Sequence, residues 1–170
     1  MHMELHGRVR RFGDGVNTDY IVASTRKRDT LDESVLKQYL LEAVDPTFAA
    51  SVRPGDLLVA GRNFGCGSAM EIAATVILAA GIKAVVAESF ARTFYRNAIN
   101  NGLVPIECDT SDIREGDRMS ITLKDGVVVV ALDATGESRP AAPMPDVMLK
   151  ILDAGGLVAF VRANGGRLQV

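Results

Sequence analysis

The residues most able to do chemistry lie together in one short segment, GRNFGCGSAMEI (residues 61–72). Cys66 stands between Gly65 and Gly67, Ser68 follows, and an apolar run at helical spacing comes next. Glycines leave backbone N–H groups open to a ligand, and the dipole at the start of a helix adds a partial positive charge. Because both effects favour a negative charge, the segment predicts a binding site for a small anion.

Two nucleotide-binding motifs are excluded at this segment. A phosphate-binding P-loop needs a lysine directly before its serine or threonine, whereas Gly67 precedes Ser68. The dinucleotide fingerprint needs a third glycine three residues after Gly67, and Met70 stands there instead. The pattern therefore favours a carboxylate or a similar small anion over a nucleotide.

Ser68 and Cys66 each have a structural and a chemical interpretation. Ser68 and Glu71 have the spacing of a capping box, in which the serine hydroxyl only satisfies a helical N–H group. Cys66 could be a nucleophile activated by the helix end. Both histidines, His2 and His6, lie in the first six residues, so the rest of the chain offers no histidine to take a proton. From the residues alone, the segment is an anion-binding site without an assigned catalytic atom.

The composition is that of a globular protein and argues against several other classes. Hydrophobic residues make up 48% of the 170 residues and the net charge is −2, so a core can form and no nucleic-acid partner is expected. Cys66 and Cys108 form no CxxC pair, so no metal site is predicted in this chain. The N-terminus has no signal-like apolar run, and the stretch 72–87 is too irregular to cross a bilayer. We expect no membrane segment and a cytoplasmic location.

The elements that position the glycine segment alternate between strands and helices over residues 57–108. DLLVA is a buried-type strand that leads into the segment, and a helix is predicted from Ala69 to Ala80, ending at Gly81. A strand in IKAVVAES, a helix in FARTFYRNAINNG that ends at Gly102 and a strand in LVPIEC follow. Because a helical crossover connects parallel strands, this run predicts a parallel core sheet.

The segment before this unit predicts one strand and one helix. GRVRRF alternates like a half-buried strand. A capping box at Thr30 and Glu33 predicts the start of a helix, and Asp45-Pro46 ends it.

The segment after the unit predicts further strands. MSITLKDGVVVVAL is a hairpin that turns at residues 125–126, a linker covers 139–145, a helix covers 146–154, and LVAFVR closes the chain as a strand. We therefore predict a single α/β domain over residues 1–170, with a parallel core sheet and antiparallel strands added at both ends.

Four segments of the chain resemble one known family. They are FGDGVNTDYIV, DPTFAASVRPGDLLVAGRNFGCGS, GRNFGCGSAMEIA and GIKAVVAESFARTFYRNAINNGLVP, and the resemblance runs from about residue 7 to residue 168. The family comprises the small subunits of 3-isopropylmalate dehydratase and of homoaconitase-type hydro-lyases, which correspond to the swivelling C-terminal domain of aconitase. The resemblance implies a swivelling β/β/α three-layer domain.

The resemblance also implies half of a two-chain enzyme. In such families the large subunit carries a 4Fe–4S cluster on three cysteines, and one iron stays open to the substrate hydroxyl. The small subunit closes over that cluster and supplies the serine that removes a proton from carbon. This chain would then bind no cofactor itself and would be active only with a large subunit. Whether the isolated chain self-associates stays open.

The implied substrate is a malate-type hydroxy acid. The favoured reaction is that of 3-isopropylmalate dehydratase in leucine biosynthesis, and 2,3-dimethylmalate or a homoaconitate-like acid are the alternatives. A function of another class also stays open, namely a non-catalytic anion-binding module that kept the fold.

The family motif assigns roles within the glycine segment. The family has Gly-Ser-Ser-Arg-Glu-His where this chain has GSAMEI, so Ser68 matches the serine that takes the proton. Ala69 replaces the second serine. Met70 replaces an arginine that grips a substrate carboxylate in the family, and methionine offers nothing comparable to a bidentate guanidinium. These two losses permit a substrate with a different placement of its carboxylates.

The backbone of the segment has to make the serine basic. A neutral serine is a poor base, so the N–H groups and the helix dipole must stabilise an alkoxide at Ser68. Gly65, Cys66 and Gly67 complete the implied substrate-binding loop, and the two glycines would let the substrate approach the backbone closely.

A second substrate-binding position is implied in residues 25–30. A family arginine follows the NTDYI-type segment and binds a carboxylate, and either Thr25 or Arg26 falls on it, depending on a one-residue gap. We favour Arg26, with Lys27 and Arg28 as substitutes. The alternative is that these cations form a solvated basic loop.

Overall fold

One mixed sheet of seven strands organises the protein. The computed structural model describes residues 2–167, so Met1 and residues 168–170 of the predicted domain lie outside the described residues. The strands are β1 (His2–Arg11), β2 (Leu57–Ala60), β3 (Ala84–Ala87), β4 (Val104–Glu107), β5 (Arg118–Lys124), β6 (Val127–Leu132) and β7 (Ser138–Pro140). Their order in the sheet is β4-β3-β2-β1-β5-β6-β7. The predicted fold class, a parallel core with added antiparallel strands, is confirmed.

The parallel half of the sheet consists of the strands predicted over residues 57–108. β2 and β3 pair in parallel with Leu58 opposite Val85, and β3 and β4 pair in parallel. Successive residues of a strand point to opposite faces, so Leu58 and Val85 enter one core while Val59 and Val86 enter another. Burial on both faces explains why these strands are continuous apolar runs.

Helices cover both faces of the sheet. They are α1 (Thr18–Ile21), α2 (Ser24–Lys27), α3 (Glu33–Leu36), α4 (Phe48–Ser51), α5 (Ile72–Ala79), α6 (Arg92–Asn101), α7 (Asp146–Asp153) and α8 (Leu157–Ala163), with a 3₁₀ turn at Lys37–Tyr39. Helices α3, α4 and α5 pack into the first core, and α7, α8 and the antiparallel strands pack into the second. None of the helices within residues 2–167 is long and apolar enough to cross a membrane.

Strand β1 joins the two halves of the sheet. It pairs in parallel with β2, where Val9 lies opposite Leu57, and antiparallel with β5 along most of its length. Strands β5 and β6 form the predicted hairpin, whose turn residues Asp125 and Gly126 have φ values of 51° and 81°. Positive φ at both turn residues matches the right-handed twist of the strands.

The last apolar segment is a helix, so the predicted strand in LVAFVR is wrong. Phe160 is buried, and Leu157 and Val161 pack partly buried against the same core. Their spacing puts all three side chains on one face of a helix. Short apolar runs fit a strand and a helix equally well, and here the second core selects the helix.

Two further local predictions need correction. Asp32, not Thr30, caps α3, because its side chain accepts a hydrogen bond from the Ser34 N–H at 2.9 Å. The predicted helix also ends early, since a 3₁₀ turn follows α3 and Leu41 has φ 58°. The linker predicted at 139–145 contains part of β7, which pairs with β6.

Candidate active site

The loops that follow β1, β2 and β3 meet at the carboxyl end of the parallel strands. The glycine loop (residues 61–71) follows β2 and lies between the other two. The Gly65 N–H donates to the Val16 carbonyl at 2.8 Å, and the Phe64 N–H donates to the Ser89 carbonyl at 3.0 Å. Ligands of open α/β sheets bind beyond the carboxyl ends of the strands. The glycine loop is therefore held where a ligand site is expected.

Gly65 and Gly67 let the loop pack against its own protein. Both have positive φ, 78° and 94°, which favours glycine. A Cβ at Gly65 would lie 2.2 Å from the ring of Phe94, and a Cβ at Gly67 would lie 2.6 Å from the amide oxygen of Asn17. We expected the glycines to admit a substrate. In the structure both positions lie against neighbouring side chains, so packing and backbone conformation also require glycine there, and the contact with substrate stays a prediction.

Ser68 does not cap the following helix, so the capping-box interpretation is wrong. Helix α5 begins at Ile72 with Glu71 as its N-cap, and no side chain bonds that cap. The predicted start at Ala69 is wrong, and the Thr18 hydroxyl donates a hydrogen bond to the Ser68 carbonyl at 2.9 Å. That bond holds the serine backbone in the loop. Ser68 is exposed, and its hydroxyl makes no hydrogen bond to any residue in the described range.

The backbone around Ser68 has unpaired N–H groups that could bind an anion. Within the part of the chain that the structure describes, the successive N–H groups from Gly67 to Ile72 donate no hydrogen bond. Gly67 and Ala69 are exposed, so ligands can reach this backbone. Unpaired N–H groups at the start of a helix attract negative charge. The geometry supports the anion site that the sequence predicts.

Neither cysteine belongs to a cluster of metal-ligating side chains within residues 2–167. Cys66 and Cys108 are free and half-buried. Residues 2–167 contain no group of three or more His, Cys, Asp or Glu side chains arranged to hold a metal ion. Burial raises the pKa of the Cys108 thiol to about 11. No side-chain hydrogen bond in the described range reaches the Cys66 thiol, and its predicted role stays a prediction.

The Arg26 guanidinium is paired within the chain. Its Nε and Nη2 donate to the two carboxylate oxygens of Glu42 at 2.8 and 3.1 Å. The guanidinium also lies 3.9 Å from the ring centroid of Tyr39. Hydrogen bonding to Glu42 raises the pKa of Arg26. A bidentate ion pair of this kind would compete with a substrate carboxylate, and the binding role of Arg26 stays a prediction.

Lys27, the next residue, reaches the glycine loop. Its Nζ is in contact with the Met70 Sδ, and the side chain is half-buried. No carboxylate of the described chain lies within ion-pair distance of Lys27. The pKa of Asp19 is lowered, chiefly by hydrogen bonds from Ser24 and also by the charge of Lys27. The structure therefore brings a cation next to the position where the family has its arginine.

The remaining predicted site residues lie around this contact. Thr25 is exposed in α2, and Ala69 is exposed in the glycine loop. None of the described hydrogen bonds involves the Thr25 side chain, so its role also stays a prediction.

Asn17 and Thr18 are the site residues that the sequence analysis missed. The Asn17 side chain caps α1 by accepting a hydrogen bond from the Asp19 N–H at 2.8 Å, and the same side chain packs on Gly67. Thr18 is 1% exposed and bonds the Ser68 carbonyl. An asparagine directly before a short apolar helix is an N-cap signal that could have located this loop, although not its partner.

Comparisons with known proteins agree with this architecture. The family model of the aconitase C-terminal domain matches residues 14–111. A 3-isopropylmalate dehydratase small subunit of Methanopyrus kandleri is 46% identical over 165 residues, covering 96% of this chain and 95% of the relative. A homoaconitase small subunit of Methanothermobacter thermautotrophicus is 49% identical over 155 residues, covering 91% and 88%.

A relative with a solved structure has the same fold. The crystal structure of 3-isopropylmalate dehydratase (LeuD) from Methanocaldococcus jannaschii matches with a TM-score of 0.90 and 40% identity, over 96% of each chain. An isopropylmalate/citramalate isomerase small subunit of Methanocaldococcus jannaschii is 42% identical over 171 residues, covering 99% of this chain and 100% of the relative.

Proposed function

Because the chain belongs to the aconitase C-terminal domain family, we propose that it is the small subunit of a two-chain hydro-lyase for a malate-type hydroxy acid. The favoured reaction is that of 3-isopropylmalate dehydratase, in which the acid is dehydrated to an alkene and then rehydrated. Relatives with 42% to 49% identity are named as small subunits, which supports a large-subunit partner. The free thiols of Cys66 and Cys108 suit a reducing cytoplasm.

Ser68 is the proposed catalytic residue, and its surroundings are the observation that carries the proposal. Its hydroxyl is exposed and unbonded within the described chain, and it belongs to the run of unpaired N–H groups from Gly67 to Ile72. Backbone donors held next to a developing negative charge lower its energy, as in an oxyanion hole. They would stabilise Ser68 as an alkoxide. The alkoxide takes the proton from the substrate carbon, and the resulting hydroxyl returns a proton to carbon during rehydration.

The chain forms one wall of the proposed site. Gly67, Ser68 and Ala69 lie exposed on the surface at the carboxyl end of the sheet. A surface of this kind needs a second surface to exclude water from the reaction. The large subunit would supply it.

An iron–sulfur cluster is proposed for the large subunit because the family resemblance implies one there. No suitable group of ligands exists within residues 2–167, and the two cysteines belong to different loops. When bound in the partner, a cluster with an open iron supplies a Lewis acid for the departing hydroxyl. This chain contributes the transfer of the proton and the binding of the acid.

The proposed function is tested by reconstitution with a cluster-loaded large subunit under anaerobic conditions. The substrates are 3-isopropylmalate, citramalate, 2,3-dimethylmalate and a homoaconitate-like acid, and alkene formation is followed by absorbance. We expect turnover of at least one acid only when both chains are present. Absence of turnover with every acid, despite formation of the two-chain complex, would contradict the proposed function.

A non-catalytic anion-binding module is the second candidate. It is favoured by one observation, the presence of Ala69 and Met70 where the family has a serine and an arginine. A neighbouring reading frame for a large subunit with a lone Cys and a downstream CxxC argues for the enzyme. A chain that binds dicarboxylates but gives no turnover in the reconstitution would be such a module.

A further inference from the structure

Lys27 is an unpaired cation at the edge of the glycine loop. Its ammonium lies against the thioether of Met70, and no carboxylate in residues 2–167 is within ion-pair distance of it. Arg26 beside it is already neutralised by Glu42. A charge that is partly removed from water and has no counter-ion is costly, and a bound anion would remove that cost.

Asp19, an acidic group that feels the charge of Lys27, is already engaged. Asp19 accepts hydrogen bonds from the backbone N–H of Ser24, at 2.8 Å, and from its hydroxyl. Asp19 feels the charge of Lys27 without forming an ion pair with it. The ammonium therefore stays available to a ligand that is bound at the unpaired N–H groups from Gly67 to Ile72.

We infer that Lys27 binds a carboxylate of the substrate, and that this carboxylate lies beside Met70. The inference rests on the proposed function and assigns one of the two carboxylates of the malate-type acid to the ammonium of Lys27. Lysine is a point charge with rotatable donors, whereas arginine imposes a planar bidentate geometry. The site therefore demands a negative charge at this place but tolerates different orientations of the carboxylate.

The test compares variants in the reconstituted two-chain enzyme. Lys27→Met removes the charge and keeps the apolar stem. Lys83→Met is the matched control, because Lys83 is exposed at the opposite end of the sheet, directly before β3. The double variant Lys27→Met/Met70→Arg restores a positive charge at the contact between these two side chains, now carried by residue 70. Substrates are the diacid and its two half-amides, and circular dichroism checks that each variant is folded.

The charge at Lys27 is expected to determine KM and the preference for the diacid. Lys27→Met should raise KM for the diacid about 10- to 100-fold, the loss of one charge-assisted hydrogen bond, and should lower the preference for the diacid over one half-amide. Lys83→Met should leave both values unchanged. The double variant should return KM to within about threefold of the wild type.

Two failures are distinguishable. If the wild-type pair turns over no acid, the proposed function is wrong. If the wild-type pair is active but Lys27→Met keeps the wild-type KM and the wild-type preference for the diacid, the role of Lys27 is wrong while the proposed function stands. A double variant no better than Lys27→Met would also contradict the inference.

Discussion

The hydroxyl of Thr18 donates a hydrogen bond to the carbonyl oxygen of Ser68 at 2.9 Å. Thr18 is 1% exposed whereas Ser68 is exposed, so this bond ties a surface loop to a buried side chain. The Thr18 N–H also donates to the Cys66 carbonyl at 2.8 Å, and the two bonds fix the loop on both sides of Gly67. Helix α5 begins only at Ile72, so Ser68 lies in the loop, where it is exposed.

Removal of the Thr18 hydroxyl should therefore impair the reaction more than the fold. Thr18→Val preserves the shape of the side chain but leaves the Ser68 carbonyl without its donor. We expect kcat to fall about 10- to 100-fold, the effect of a small misplacement of a catalytic group, while the two-chain complex still forms. Thr122→Val in β5 is the control and should keep the wild-type kcat. Equal kcat for both variants would show that the bond does not position Ser68.

Gly65 should tolerate no side chain. Gly65→Ala places a Cβ 2.2 Å from the Phe94 ring at a φ of 78°. Gly15→Ala is the control, because Gly15 has a similar φ of 64° but no heavy atom within 4 Å of the added Cβ. We expect Gly15→Ala to cost about 1 kcal/mol from backbone strain alone, and Gly65→Ala to cost about 2 kcal/mol more from overpacking. Urea denaturation measures both, and equal losses would contradict the close contact.

Acid stability should depend on Asp56. This carboxylate is 5% exposed and accepts hydrogen bonds from Arg8 at 2.9 Å and from the Arg53 N–H at 3.0 Å. Burial alone would raise its pKa, but the bonds from Arg8 and Arg53 outweigh burial, so the pKa of Asp56 is lowered. A lowered pKa in the folded state gives stability that is present above the unfolded value of about 3.9 and is lost as pH falls below it.

Asp56→Asn tests this dependence. At neutral pH the variant should be less stable by about 3 kcal/mol, because Arg10, which is 5% exposed, loses a charged partner. Its free energy of unfolding should then change less than that of the wild type between about pH 5 and about pH 3. Urea denaturation at several pH values provides the comparison. Parallel pH curves for the two proteins would rule out the role of Asp56.

Cys108 should react slowly with alkylating reagents in the folded protein. Its pKa is raised to about 11 by burial, and only the thiolate reacts. The labelling rate at Cys108 should therefore keep rising through about pH 10, whereas in denaturant it should be half-maximal near about pH 8.5, the ordinary pKa of cysteine, and level off above it. Mass spectrometry of the labelled peptide distinguishes the two profiles. A midpoint near about pH 8.5 in the folded state would contradict the burial of this thiol.

The sequence predicts correctly the elements whose residues all favour the same local structure. β3 is a run of apolar residues buried on both faces, and Gly81 ends α5 with a φ of 87°. The run LVAFVR was predicted wrongly because its apolar residues fit both a strand and a helix, and only the packing of Phe160 decides.

The residue types of the site could be predicted from the sequence, but the contacts between its segments could not. Thr18 and Ser68 are 50 positions apart, and Lys27 and Met70 are 43 positions apart. No local pattern contains these contacts, and the capping box that Ser68 and Glu71 would form is absent. Loop contacts between distant segments arise from tertiary packing, which competes with local preference and here prevails.

The kcat of Ser68→Ala in the reconstituted two-chain enzyme tests the central claim most directly. The exposed hydroxyl has no hydrogen-bond partner in the described chain, so its removal should leave folding and complex formation intact. Ser138→Ala, an exposed serine in β7, is the matched control. We predict that Ser68→Ala lowers kcat by about 10²- to 10⁴-fold, the contribution of a general base, while Ser138→Ala keeps the wild-type value. A wild-type kcat in Ser68→Ala would contradict the account.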